Sequence, residues 1–166
     1  MKEFINKHSN NKSLLILVIL YAVLSTILLI NISFDNRPID LRFAYSAETA
    51  YQYVNNHAHE TRVDLMVYGI VVDILYPIIT FFLLSFSLVM IFKNFDTVIL
   101  PTVLLVVDYI ENFGIIAMMY MSEDKSIHLA SVINGFTMLK WFIFGICICV
   151  IFYGSMRKLN RKYKNK

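Results

Sequence analysis

Charge is what this chain has least of. Only 16% of its 166 residues are Asp, Glu, Lys or Arg, against 58% hydrophobic, and the mean hydropathy is +0.62. A water-soluble domain of this length has no use for so much apolar surface, and the apolar residues are bunched rather than periodic, so soluble enzymes and nucleic-acid-binding modules are excluded. Cysteine is nearly as scarce. Cys147 and Cys149 stand two apart on one helix and point about 200° away from each other, and no Cys-x-x-Cys occurs, which excludes a four-helix thiol–disulfide oxidoreductase. There is no glycine-rich phosphate loop, no His-Glu-x-x-His and no Ser-His-Asp order, so nucleotide hydrolysis, zinc proteolysis and triad chemistry find no support. The chain has no internal repeat either, and alternating-access transport usually needs one unless a partner copy supplies it.

What remains is four long apolar runs, roughly Leu14–Ile32, Leu65–Phe92, Val98–Met121 and Ile127–Met156. Each meets the length of about 20 residues that a helix needs to cross ~30 Å of hydrocarbon. The breaks Asn94–Thr97 and Ser122–Ser126 are short enough to force antiparallel neighbours. The expected fold is an all-α membrane protein, a single four-transmembrane-helix antiparallel up-down bundle over residues 1–166. The first run is longer than a signal-peptide core and no small-x-small cleavage pattern follows it before Asn31, so a retained helix is expected. Lys2, Lys7, Lys12, Lys93, Arg157, Lys158, Arg161, Lys162, Lys164 and Lys166 fall on one side; Arg37, Arg42, Arg62 and Lys125 fall on the other. The positive-inside rule then places both termini in the cytoplasm of a cell (plasma) membrane protein. The basic tail reads as an orientation signal with attraction to anionic lipid, and no nucleic-acid partner is expected.

The one sizeable extramembrane piece is Ser33–Asp64, predicted to be outside. Asp35, Asn36 and Pro38 read as a turn. Ser46 is a good N-cap, Glu48 suits the first helical turn, and Ala47, Ala50, Tyr51 and Val54 recur at helical spacing. This predicts a short outer amphipathic helix lying on the membrane or capping the bundle mouth, with Tyr45, Tyr51 and Tyr53 at the headgroup level.

Inside the runs stand four ionisable residues, Asp73, Asp108, Glu111 and Lys140. A charge at such depth costs from about 2.5 kcal/mol upward, so it normally faces a bundle interior, a partner or water. Asp73, Tyr76, Pro77 and Thr80 share a sector of the second run, with Arg62 on the same face above it. Pro77 is expected to kink that run. Asp108, Glu111 and Asn112 form a stripe on the third run, and Ser131, Asn134, Thr137 and Lys140 a band on the fourth. The first run offers only Tyr21, Ser25 and Thr26. Counting ~1.5 Å per residue from the outer ends puts Asp73 ~12 Å deep, Glu111 ~15 Å, and both Asp108 and Lys140 ~20 Å. Asp108 with Lys140 is the natural ion pair, and Asp73 with Glu111 a carboxylate pair. Two carboxylates together in low dielectric cannot both ionise cheaply, so such a pair holds a proton, a cation or a metal. The alternative is a buried salt bridge that only fixes helix register. His57, His59, Glu60 and His128 could approach a metal, although a His-x-His in a loop is more often solvated; no metal or cofactor is expected.

Tyr45-Ser46-Ala47-Glu48, Asp73-Ile74-Leu75-Tyr76-Pro77, Asp108-Tyr109-Ile110-Glu111-Asn112 and Lys140, in this order, resemble a poorly characterised bacterial four-helix membrane family. The resemblance covers most of the chain from Asp35 onward and implies a fold and a site, not a substrate. Thr61-Arg62 stands where the family pattern has Gly-Arg. The expected ligand-binding residues are Asp73, Tyr76, Asp108, Glu111, Asn112, Lys140 and Arg62. Three functions compete. The first is a pocket open to the outer leaflet that binds a small polar or cationic headgroup of a lipid-like ligand. The second is an intramembrane enzyme using Asp73 or Glu111 as general acid/base on a lipid or isoprenoid-like substrate, with Lys140 stabilising negative charge. The third is a structural or assembly subunit. Membrane lipids are the expected partners in every case, and the oligomeric state stays open.

Overall fold

The computed structural model describes residues 1–31, 39–55, 59–121 and 126–164, with side chains placed over 1–26, 39, 41–53, 74–121 and 126–164. The described residues are all-helical: α1 (Lys2–His8), α2 (Asn11–Asn31), a 3-10 turn Ile39–Leu41, α3 (Ala47–Asn55), α4 (His59–Phe92), a 3-10 turn Phe95–Val98, α5 (Ile99–Tyr120) and α6 (Ile127–Lys164). The apolar runs become helices because no water in a bilayer can satisfy an open backbone, so each segment bonds internally. α4 carries Pro77 within it and remains one helix. It stops at Phe92, where Lys93 takes a left-handed φ of 56° and donates its N–H to the Val89 carbonyl at 2.9 Å. Asn94 then accepts the Asp96 N–H on its side-chain oxygen (3.0 Å) and starts the 3-10 turn into α5.

α5 and α6 pack along their length, α4 lies against both, and α2 packs along α4. The α5–α6 register runs in opposite directions: Met118 clusters with Ala130, Glu111 meets Thr137, Asp108 meets Lys140, and Leu104 clusters with Cys147. Gly114 makes this approach possible. A Cβ there would lie 1.9 Å from Cδ1 and 2.7 Å from Cγ1 of Ile133, a buried side chain. Cys147 is buried in the α4–α5–α6 core and Cys149 is exposed, in keeping with packing or lipid-facing roles for the two.

The described segment between α2 and α4 caps one end of α5 and α6. Ser46 caps α3 as expected, its Oγ accepting the Thr49 N–H at 3.1 Å. Tyr45 and Tyr51 are buried in a cluster with Ile39, Met118, Ala130 and Ile133, so the segment caps the helix ends, one of the two placements expected for it. The Tyr51 hydroxyl donates to the Ser126 carbonyl (3.1 Å) and accepts the Ser126 N–H (2.8 Å), tying α3 to the start of α6. Tyrosines go inside when their hydroxyls find such partners.

At the other end, α1 was not anticipated. It bends 95° from α2 and plants Ile5 among Phe81, Phe86, Val89 and Val98. The outward faces of α5 and α6 are strongly apolar, with Phe113 62%, Phe142 64% and Phe152 67% exposed. Apolar faces this continuous belong in lipid rather than water. Among the described residues, three helices are long and apolar enough to cross a membrane, over Ile74–Phe92, Phe95–Tyr120 and Ile127–Lys164; α1 and α2 pass that test together as one bent pair. Gly114→Leu is expected to lower the unfolding temperature of the detergent-solubilised protein by many degrees, and Ile133→Ala added to it should recover part of the loss. An unchanged melting curve for Gly114→Leu would refute the close α5–α6 approach.

Candidate functional site

α5 places Asp108, Glu111 and Asn112 on one stripe because they are separated by three and four residues, and that stripe faces α6. Lys140 reaches across from α6. Its Nζ lies 2.5 Å from Glu111 Oε2 and 3.5 Å from Asp108 Oδ1. The Glu111 side chain is wholly inaccessible, while those of Lys140 and Asp108 keep 12% and 15% of their surface. The second Glu111 oxygen accepts the Thr137 hydroxyl at 2.7 Å. Thr137, itself wholly buried, also lies 3.4 Å from the Tyr45 hydroxyl, and the Tyr45 backbone N–H donates to the Asn134 side-chain oxygen at 2.8 Å. The outer segment is thus bonded to the helix that carries the lysine. Among the described side chains, two carboxylates thus lie on one ammonium.

Beside the cluster is a cavity of about 120 Å³ bounded by α2, α4, α5 and α6. Asp108, Asn112 and Lys140 form its polar wall. Tyr21 and Tyr76, with ring centroids 4.9 Å apart, form one aromatic side, and Trp141 and Phe144, at 6.1 Å and edge-on, another. Pro77, Thr80 and Leu104 complete the wall, and Leu41 reaches in from the outer segment. The Tyr76 hydroxyl is 3.3 Å from that of Ser25, and the Thr80 hydroxyl is turned back onto its own helix, donating to the Tyr76 carbonyl. Tyr109 lies on the other side of α5 and donates to the Ile74 carbonyl at 3.1 Å, within the turn that precedes Pro77.

Four of the seven residues expected at a site, Tyr76, Asp108, Asn112 and Lys140, line this cavity. Glu111 does not line it; it sits behind Lys140 and holds it. The side chains of Asp73 and Arg62 lie outside the described residues, and with them the expected Asp73–Glu111 pair. The expected Asp108–Lys140 pair is present, but as the longer of two contacts: Glu111, one turn nearer the Tyr45 cap, is the tighter partner. Of the fourth-run band, Asn134 and Thr137 face the cluster, whereas Ser131 bonds its own helix at the Ile127 carbonyl. Tyr21, Leu41, Trp141 and Phe144 were not anticipated. A tyrosine in an otherwise featureless apolar run, and a tryptophan adjacent to an intramembrane lysine, were the available signals. Among the described residues, no group of three His, Cys, Asp or Glu converges as metal ligands would; the side chains of His57, His59 and Glu60 are outside them, and His128 is exposed.

This geometry can bind a cation at Asp108, take a hydrogen bond at Asn112 or Tyr76, and keep water away from Glu111. The hydroxyl that lies against a carboxylate here, that of Thr137 on Glu111, is wholly buried and does not line the cavity. Comparison with family models, with curated proteins and with solved structures returns no match for this chain. Removing one member of a buried ion pair typically costs about 3–5 kcal/mol because the other charge is stranded. Lys140→Met should therefore destabilise the protein strongly, and adding Glu111→Leu should restore much of the loss. Coupling in a double-mutant cycle should be larger for Lys140 with Glu111 than for Lys140 with Asp108. Additive losses for the first pair would contradict the assignment.

Proposed function

We propose that this chain is an integral membrane protein of four antiparallel spans, the bent α1–α2 pair forming the first, whose cavity binds the cationic headgroup of a lipid-like ligand. The observation that carries the reading is that Asp108 lies on the cavity wall, 3.5 Å from Lys140, while the Lys140 ammonium lies closer to Glu111 behind it. An incoming ammonium group can approach the Asp108 carboxylate there, and rings such as Tyr21, Tyr76 and Trp141 attract a cation over their faces. The cavity, of about 120 Å³, is small and has polar groups on one wall, as a headgroup site requires. Enzymatic use of Lys140 to stabilise developing negative charge is disfavoured by the two carboxylates already on it.

Both termini are assigned to the cytoplasm on the distribution of Lys and Arg, ten of fifteen lying on that side, which turns the Tyr45 and α3 cap outward. Cysteines introduced at Asn55 and Asn160 provide the check: an impermeant thiol reagent applied to intact cells should label the first and spare the second, and the opposite pattern reverses the topology.

The binding reading is tested by native mass spectrometry of protein exposed to a total lipid extract. Wild type should retain lipids with amine-bearing headgroups. Asp108→Asn should lose them by tenfold or more while keeping its melting temperature within a few degrees, and Tyr76→Phe should show a smaller loss. Equal retention by Asp108→Asn would end the proposal, as would a folding defect as its main effect.

A further inference from the structure

A second chamber lies at the opposite end of the protein from the Tyr45 cap. It is a groove of about 240 Å³ where α1, α2 and α4 meet, and none of its residues belongs to the ion cluster. Its walls are Phe4 of α1, Ile16 and Leu17 of α2, and Phe82 and Phe86 of α4; His8 and Ser13 stand at the bend between α1 and α2. One end is therefore purely apolar and the other polar.

Basic residues flank the polar end without lining it: Lys7 and Lys12 adjoin His8 and Ser13 in sequence, Lys2 lies 5.8 Å over the Phe95 ring, and Glu3 is the single acid within residues 1–13. His8 donates from Nδ1 to the Phe4 carbonyl at 2.9 Å, so it is in the protonated ring that Nε2 also donates, to an anionic partner. Asn10 already accepts the Ser13 N–H at 2.9 Å, so the Ser13 hydroxyl is the polar group that this turn adds to the groove. α1 is held in place by Ile5, wholly buried against α4, while Phe4 stays half exposed and stacks on both His8 and Phe82. A helix turned by 95° away from a spanning helix, basic on its polar residues and carrying an exposed aromatic, has the form of one lying in the membrane interface.

We propose that this groove is a binding site for an anionic phospholipid, one acyl chain lying along Phe4, Ile16, Leu17 and Phe82 and the phosphate-bearing headgroup at His8, Ser13 and Lys12. Charge complementarity selects this occupant. A zwitterionic lipid fills the apolar part equally well but brings its own cation to a site that already has an excess of them, whereas an anionic headgroup gains from each basic residue near the surface. The site depends on the chain being membrane-embedded but not on what the Asp108 cavity binds.

The test is native mass spectrometry of the full-length protein offered equal amounts of phosphatidylglycerol and phosphatidylcholine with identical acyl chains. One phosphatidylglycerol per protein should be retained over phosphatidylcholine by at least fivefold. Ser13→Glu places a carboxylate at the polar end, in a first helical turn where an acid is well tolerated, and should abolish the preference without changing the melting temperature. Leu17→Trp fills the apolar part and should remove retention of phosphatidylglycerol, whereas Asp108→Asn should leave phosphatidylglycerol binding intact. Failure of the wild type to retain phosphatidylglycerol overturns the proposal. So does a phosphatidylglycerol preference that survives Ser13→Glu. Loss of the preference in Asp108→Asn would assign the lipid to the other cavity and overturn it as well.

Discussion

Lys140 lies between a carboxylate with no access to solvent and a carboxylate on a cavity wall, and much of the surrounding structure serves to keep it there. An ammonium at this depth is tolerated only when paired and hydrogen-bonded, and Glu111 is tolerated only on the same terms. Each therefore fixes the other. Thr137, one turn from Lys140 on α6, donates to the far oxygen of Glu111 and so locks its rotamer. The opposed register of α5 and α6 puts all three at one level, and Gly114 allows the backbones close enough for a Glu and a Lys to meet directly. The cap adds a further constraint, because Tyr45 bonds Asn134 through its backbone and approaches Thr137 through its hydroxyl.

A buried ion pair alone is weak evidence of function, since apolar residues of equal volume often stabilise a fold as well or better. The arrangement here differs from minimal glue in one respect. Glu111 and Lys140 would already satisfy each other, yet Asp108 is added on the cavity side, at the greater distance and with residual exposure. A second carboxylate beside one ammonium is held at some cost in stability. That this carboxylate lines the cavity is what distinguishes the arrangement from an ion pair that fixes helix register alone.

The sequence made some of this legible and hid the rest, for definite reasons. The meeting of Asp108 and Lys140 could be obtained by counting, because both helices are unbroken, their connection is short, and rise per residue is constant. The preference of Lys140 for Glu111 could not: Asp108 and Glu111 are one turn apart, both within reach of a long side chain, and only rotamers and burial choose between them. Ser46 announced α3 through a local capping rule that needs no tertiary information. The burial of Tyr45 and Tyr51 was not legible, because it depends on specific partners for their hydroxyls, namely Thr137 and Ser126, that lie far away in sequence. α1 was invisible, since seven residues containing Lys2, Glu3, Asn6, Lys7 and His8 show no apolar period, and it is tertiary burial of Ile5 that holds it.

Tyr21 shows a subtler failure. α2 is apolar on nearly every side, so no amphipathic face marks its inward surface, and its exposed residues include Leu15, Ile16, Val18, Ile19 and Leu20. The inward surface becomes visible only from its contacts: Ser13 and Leu17 line the groove beside α1, Tyr21 lines the cavity beside Asp108, and Ser25 meets the Tyr76 hydroxyl. These four positions are spaced by four residues, so they form one slowly drifting stripe along the helix. A single helix without charge in its span thus walls two chambers of opposite character, one at each end of the same stripe. In a chain with so few polar residues, the hydroxyls on that stripe are the sequence's trace of where α2 meets the other helices, and the apolar residues around them are free to face lipid.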